Sequence, residues 1–322
     1  MSRRRLLAAA LAAPALLAAA VADDAPAPLK FAWPVPSKVT VTERVFRPGA
    51  AVTTRYTASL ERAGDGDDLK LRFADFEVVD FAGKKPDDPS VAARVAATVR
   101  MASKLMPDLL LGADGKVKDV VGIDAAIRAM LDDVEKGGTD EEKAWLPARR
   151  AQLESPEVKE SMKREATKPW QAWVGEWAGR TMPDGEDVPA RHCVRDLDGS
   201  ERDAPAVLRR VASSEGAGLV TLTREAMLDG DDTKASLDAW VKAGTKAIGH
   251  APPEGLFIGL QLVSRAAAVA DAATLRPRRA MREDACLVHR KGDADLVVEL
   301  DRHEYAFEWP ASETPKPPAA EK

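Results

Sequence analysis

Apolar residues along this chain change period twice, and that change limits the folds open to it. Near the N-terminus Val39, Val41 and Val45 share one parity, as do Val52, Tyr56 and Leu60, and then Leu69, Leu71 and Phe73. A period of two predicts half-buried antiparallel strands. Turns fall at Arg47-Pro48-Gly49 and Gly64-Asp65-Gly66-Asp67, and after Phe73 the parity moves to Phe76 and Val78, which predicts a bulge near Asp75.

Helical spacing then takes over. Ser90 precedes Val91, Val95, Val99 and Ala102, a helix that Pro107 stops. Apolar runs at 109–111 and 117–121 flank Gly112-Ala113-Asp114-Gly115, a hairpin signal because Asp-Gly tolerates positive φ. A second helix fits 123–136 and ends at Gly137-Gly138. Thr139 with Glu142 makes a capping box for a third helix reaching Glu154, and Ser155-Pro156 opens a fourth, which Pro169 is expected to kink or break. Beyond Arg180 short strands return at 193–194, 219–222, 286–289, 296–300 and 304–309, with helices expected at 233–246 and 260–273.

This order predicts an α+β fold: antiparallel β-sheet or sheets formed by strand-rich N- and C-terminal parts, packed against a helical middle segment. The divisions are a signal peptide at 1–22, a Pro-rich extended lead-in at 23–37 that enters the fold near Phe31 and Trp33, and an N-terminal α+β part at 38–138. A helical middle at 139–179, a C-terminal α+β part at 180–309 and a disordered tail at 310–322 follow. One shared sheet and two separate sheets both satisfy the pattern. The order is similar to the antiparallel half-barrel closed by helices of several exported bacterial carriers of lipid or lipoprotein, a similarity of architecture that no motif carries.

The N-terminus carries the clearest functional signal. Arg3, Arg4 and Arg5 precede an apolar run at 6–22, and Ala20-Val21-Ala22 stands before Asp23, which predicts cleavage between Ala22 and Asp23 and export to the periplasm or the extracellular space. Residues 2–7 resemble a twin-arginine export signal; the same arginines also serve as the basic end of an ordinary one. No later run is apolar enough to span a bilayer, so no stable membrane insertion is expected after cleavage. Cleavage removes three of the 47 basic residues and none of the 52 acidic ones, taking the charge from −5 to −8, which argues against nucleic acid as a partner. Against that background Arg276, Arg278, Arg279 and Arg282 read as a solvated or internally paired patch.

Cys193 and Cys286 are the two cysteines, and in an oxidising compartment an even pair predicts a disulfide. Closing that loop would stabilise the fold by roughly 4–5 kcal/mol in the chain-entropy view.

Signatures of catalysis are missing. His192, His250, His289 and His303 have no zinc-ligand spacing, and no serine-nucleophile elbow, phosphate loop or dinucleotide fingerprint occurs. The acidic groups at 65–68 and 229–232 lack the spacing of a calcium loop. No catalytic residue, cofactor or metal is therefore assigned. Trp170, Trp173 and Trp177 lie at i, i+3 and i+7 and form one indole stripe on a helix. Such a stripe docks the helix on a sheet, burying roughly 150–250 Å² per ring, or it walls an apolar groove for a hydrophobic ligand. Residues 304–309 alternate polar and aromatic, so they form either a closing strand of the protein's own sheet or an edge for a partner.

The expected function is an exported, soluble, non-enzymatic envelope protein that binds a hydrophobic small molecule or another envelope protein, with Trp170, Trp173 and Trp177 as candidate ligand contacts. The alternatives are an exported hydrolase with dispersed catalytic carboxylates, and a structural protein without a ligand pocket.

Overall fold

The computed structural model describes residues 26–47, 50–137, 140–292 and 295–310. The expected signal peptide, the capping threonine Thr139 and all but the first residue of the expected tail lie outside them. From the lead-in the chain runs through β1 (Ser37–Arg47), β2 (Ala50–Arg62) and β3 (Leu69–Phe81), then α1 (Ala92–Leu105), then the hairpin β4 (Asp108–Leu111) and β5 (Val117–Val121). The helices α2 (Ile123–Gly137), α3 (Asp140–Leu153) and α4 (Pro156–Trp170) form the middle. The chain returns through β6 (Asp187–Arg195), β7 (Glu201–Ala212), β8 (Leu219–Leu228), α5 (Lys234–Ile248), β9 (Phe257–Asp271), β10 (Pro277–Arg290) and β11 (Leu296–Glu308).

All eleven strands join one antiparallel sheet in the order β5-β4-β3-β2-β1-β11-β10-β9-β8-β7-β6. Two meanders, one from each end of the chain, meet where β1 pairs with β11, with Val41 opposite Phe307 and Val45 opposite His303. The sheet dominates, with 44% strand against 28% helix, so the helices fill and flank it rather than forming an equal layer. At its β6 edge the sheet curls back: the Cys286 thiol on β10 donates to the Arg195 carbonyl on β6 at 3.7 Å, across three intervening strands.

Several local expectations change in the fold. Residues 260–273 are not a helix; most of them belong to β9. A central strand covered on both faces (Leu262 and Ala268 inside, Val263 and Val269 outside, all buried) loses its alternation, and its alanines imitate a helix former. No strand was expected at 201–212, where β7 lies, because its inward residues are the small Ala204 and Ala206 with Leu208, while Pro205 faces outward. Pro169 does not end α4. The helix reaches Trp170 and widens into a π-helical turn at Gln171–Gly175, in which Glu176 N–H donates to Gln171 O at 3.0 Å. The bulge does occur at Asp75, which has φ +58°, where the β2–β3 register slips.

The main core lies between the inner face of the sheet and the α4–π segment. Trp173 is fully buried, with ring centroids 5.0 Å from Phe307, 5.4 Å from Tyr305 and 6.1 Å from Phe73. Trp170 is buried against Trp33 at 5.2 Å and Phe31 at 5.6 Å, which brings the lead-in into the core. Its indole N–H donates to the Gly115 carbonyl at 2.8 Å, so the β4–β5 turn and the middle helix hold each other. Gly115 has φ +80°, and a Cβ there would sit 2.6 Å from Phe31 Cγ. We expect Gly115→Ala to cost about 1–3 kcal/mol, through backbone strain and overlap together. Gly185→Ala, at φ +76° with open space around it, carries the strain alone. Thermal midpoints of the two variants separate the two contributions.

A second, smaller core occupies the curled end: Ala204, Ala226, Leu228, Leu262 and Val288 pack with Val194 and are covered by Leu237 of α5. Between the two cores a row of polar side chains crosses the inner face. Glu43 on β1 contacts His303 Nδ1 at 2.6 Å; His303 Nε2 is 3.0 Å from Asp301; and Asp301 accepts from Arg282 Nη1 at 2.9 Å. Asp284 continues the row, accepting from Ser264 Oγ at 2.6 Å, and Ser264 accepts from Arg224. Buried charges persist only when paired in this way.

Candidate functional site

The helix α2 packs against α1 on one side and α3 on the other, but α1 and α3 do not pack on each other. Buried Val91 and Val95 tie the start of α1 to Val78 of β3, while Ile123, Ala126, Ile127 and Leu131 turn one face of α2 into the core. The helix α3, with its charged sequence and internal Pro147, contributes Leu146 and Leu153 to the core margin. What remains between the three helices is an open groove of about 1020 Å³. Its apolar lining includes Met101, Met130, Val134 and Trp145, and Arg100, Lys136 and Arg149 stand around it.

Two observations set this groove apart from ordinary surface. Trp145 is 66% exposed and is the one aromatic among the large exposed hydrophobics of the described residues, with Met101 at 43% across the groove. Among the described residues the charges lining it are unequal: Asp133 pairs with Arg100 at 3.5 Å, and Lys136 and Arg149 are in excess. An apolar, methionine-containing trough with a basic margin is suited to an apolar chain that ends in an acidic group.

The site residues expected from the sequence fall elsewhere. Trp170, Trp173 and Trp177 are fully buried, so the stripe docks the middle segment on the sheet and none of the three rings opens to a groove. Cys193 and Cys286 are free thiols, and the expected disulfide is not formed. The physical reason is parity on β6: Val194 points into the second core beside Cys286, so its neighbour Cys193 points the other way and is exposed. Burial pushes the Cys286 thiol up to about 12, which keeps it protonated and unreactive.

His192 is half-buried beside Glu176, and burial together with the Arg224 charge lowers its pKa. The terminal strand is a central one, paired with β1 and β10 of the protein's own sheet, with Tyr305 and Phe307 buried. The groove itself was missed from the sequence. Its one legible signal is Trp145, a lone aromatic in an otherwise charged helix.

No family model matches the chain, and no curated protein matches it in sequence. Among solved structures it is similar to one described as "lipid-protein interactions in lipovitellin", with a TM-score of 0.42 and 8% identity over 86% of this chain. The match spans 25% of that protein's length, and a likeness at this level defines neither a family nor a ligand.

Proposed function

We propose that this is an exported, non-enzymatic binding protein that holds an amphipathic molecule, with an apolar chain and an acidic head, in the groove between α1, α2 and α3. The observation that carries this reading is the exposure of Trp145 and Met101 along an apolar groove with an excess of cations. Leaving an indole in water forfeits roughly 2–3 kcal/mol of burial, which a bound chain recovers. The main core between the sheet and the middle segment is not the binding place in this reading, because its tryptophans already fill it. Among the described residues no helix is long and apolar enough to cross a membrane. Export rests on residues 1–22, and a mature chain beginning at Asp23 is its expected outcome.

The test is tryptophan emission during titration with monomeric oleate. Wild-type emission is expected to shift saturably to the blue, and Trp145→Phe to lose that shift while keeping the emission of the buried indoles. Reversing both Arg100 and Arg149 to Glu should weaken binding roughly tenfold, as expected for two exposed attractions turned into repulsions. Emission unmoved by oleate refutes the reading.

A further inference from the structure

A second concavity, of about 500 Å³, lies beneath α4 and the π turn, over the inner face of the sheet near the β6 edge. Its lining is richer in charged side chains than that of the groove and includes Lys168, Glu176, His192, Arg224, Ser264 and Asp284. Arg224 on β8 is 6% exposed. Its Nη atoms donate to the Ser264 carbonyl at 3.1 Å and the Ser264 hydroxyl at 3.3 Å, whereas its Nε is buried with no hydrogen-bond partner. The nearest carboxylate, Glu176, stands 3.5 Å from that Nε and is shared, since its other oxygen takes Arg180 at 3.4 Å and His192 lies 3.9 Å away. Burial lowers the Arg224 pKa, and the attractions of Glu176 and Asp284 offset this only in part.

A buried cation beside a cavity, with an Nε that makes no hydrogen bond and an ion-pair partner divided among three groups, has unused donor capacity. Lys168 of α4 lines the same cavity, its Nζ 2.8 Å from Glu165 and 3.8 Å from Asp284, so it is held over Arg224's side of the sheet by carboxylates. We propose that this cleft binds the oxyanion of a small polar molecule, a carboxylate or phosphate group, with Arg224 Nε as the donor and Lys168 as the second cation. The hydroxyls of Thr167 and Ser200 along the wall suit the polar remainder of such a ligand. Glu176 is the built-in competitor for the same donor, which gives the proposal a distinctive sign: removing its charge strengthens binding rather than weakening it.

Calorimetric titration of the full chain at neutral pH, with inorganic phosphate and separately with acetate against chloride at equal ionic strength, tests it. Glu176→Gln is expected to bind about tenfold more tightly than wild type, and Lys168→Gln several-fold more weakly, because each changes one close charge. Arg224→Gln should abolish binding. Phosphate alone binding identifies a phosphorylated ligand class; acetate binding as well identifies carboxylates. Absence of binding by both anions in wild type and in Glu176→Gln overturns the proposal, and so does an affinity that Glu176→Gln leaves unchanged. A gain of affinity cannot come from misfolding, so the Glu176→Gln titration decides the matter even where Arg224→Gln fails to fold. Trp145 is not in this cleft, so failure here leaves the groove reading intact.

Discussion

Trp173→Ala is expected to destabilise the protein by about 3–5 kcal/mol, the usual cost of emptying a fully buried aromatic site. The side chain sits where the two strand meanders meet, touching Phe73 from the N-terminal one and Tyr305 and Phe307 from the C-terminal one. Removing it opens a cavity at that junction, and the surrounding strands, fixed by their ladders on both sides, cannot collapse into the space. A conservative Trp173→Phe retains most of the burial and should lose much less. Denaturant midpoints at unchanged slope measure both. A loss below about 1 kcal/mol for the alanine variant would show that the middle segment is not the keystone of the core.

The second large effect concerns the buried polar row. Arg282→Met removes the cation that Asp301 and Asp284 share, leaving Asp301 with His303 and Asp284 with Ser264 and Lys168, and should cost about 3 kcal/mol at neutral pH. The row also makes stability depend on pH at both ends. For His303, burial opposes the charged ring, but hydrogen bonds to Asp301 and Glu43 outweigh it, and the pKa is raised. Its stabilisation is complete below the ordinary histidine range and is lost as pH rises through the raised value. For Asp301, burial alone would raise the pKa, but the His303 hydrogen bond and the Arg282 charge hold it well below the usual carboxylate range. That contribution is present above the ordinary carboxylate pKa and is lost as pH falls through the depressed one. Unfolding free energies followed across pH should therefore decline on the alkaline side in wild type, and His303→Gln should flatten that decline. Profiles of identical shape would assign the alkaline loss to other groups.

Both effects come from residues whose meaning depends on topology. The period-two runs of β1 to β3, the Asp114-Gly115 hairpin and the bulge at Asp75 could be read directly, because each is set by neighbours in the chain: side-chain alternation, φ tolerance and a change of parity. The strands β7 and β9 could not. One hides its inward face behind alanines, and the other is covered on both sides, so the local pattern no longer reports its environment. The tryptophan stripe was visible as a stripe, but the ring contacts that fill its surface come from β3 and β11, about a hundred residues or more away on either side. Likewise the separation of Cys193 from Cys286 follows from parity on a curled edge strand, which cysteine counting does not see. The candidate groove depends on α1 and α3 standing apart across α2, a negative feature with no sequence pattern beyond the isolated Trp145.

The amino-acid order alone determined the strands of the N-terminal part, most of the helices and the turns between them, since these rest on contacts a few residues apart. The joining of β1 to β11 into a single sheet, the partition of its inner face into two cores by charged side chains, and the openings beside α3 and beneath α4 were decided only by tertiary structure. The reason is physical: burial and ion pairing are properties of surfaces brought together in space, and the free energy of each surface depends on a partner that the local sequence does not specify.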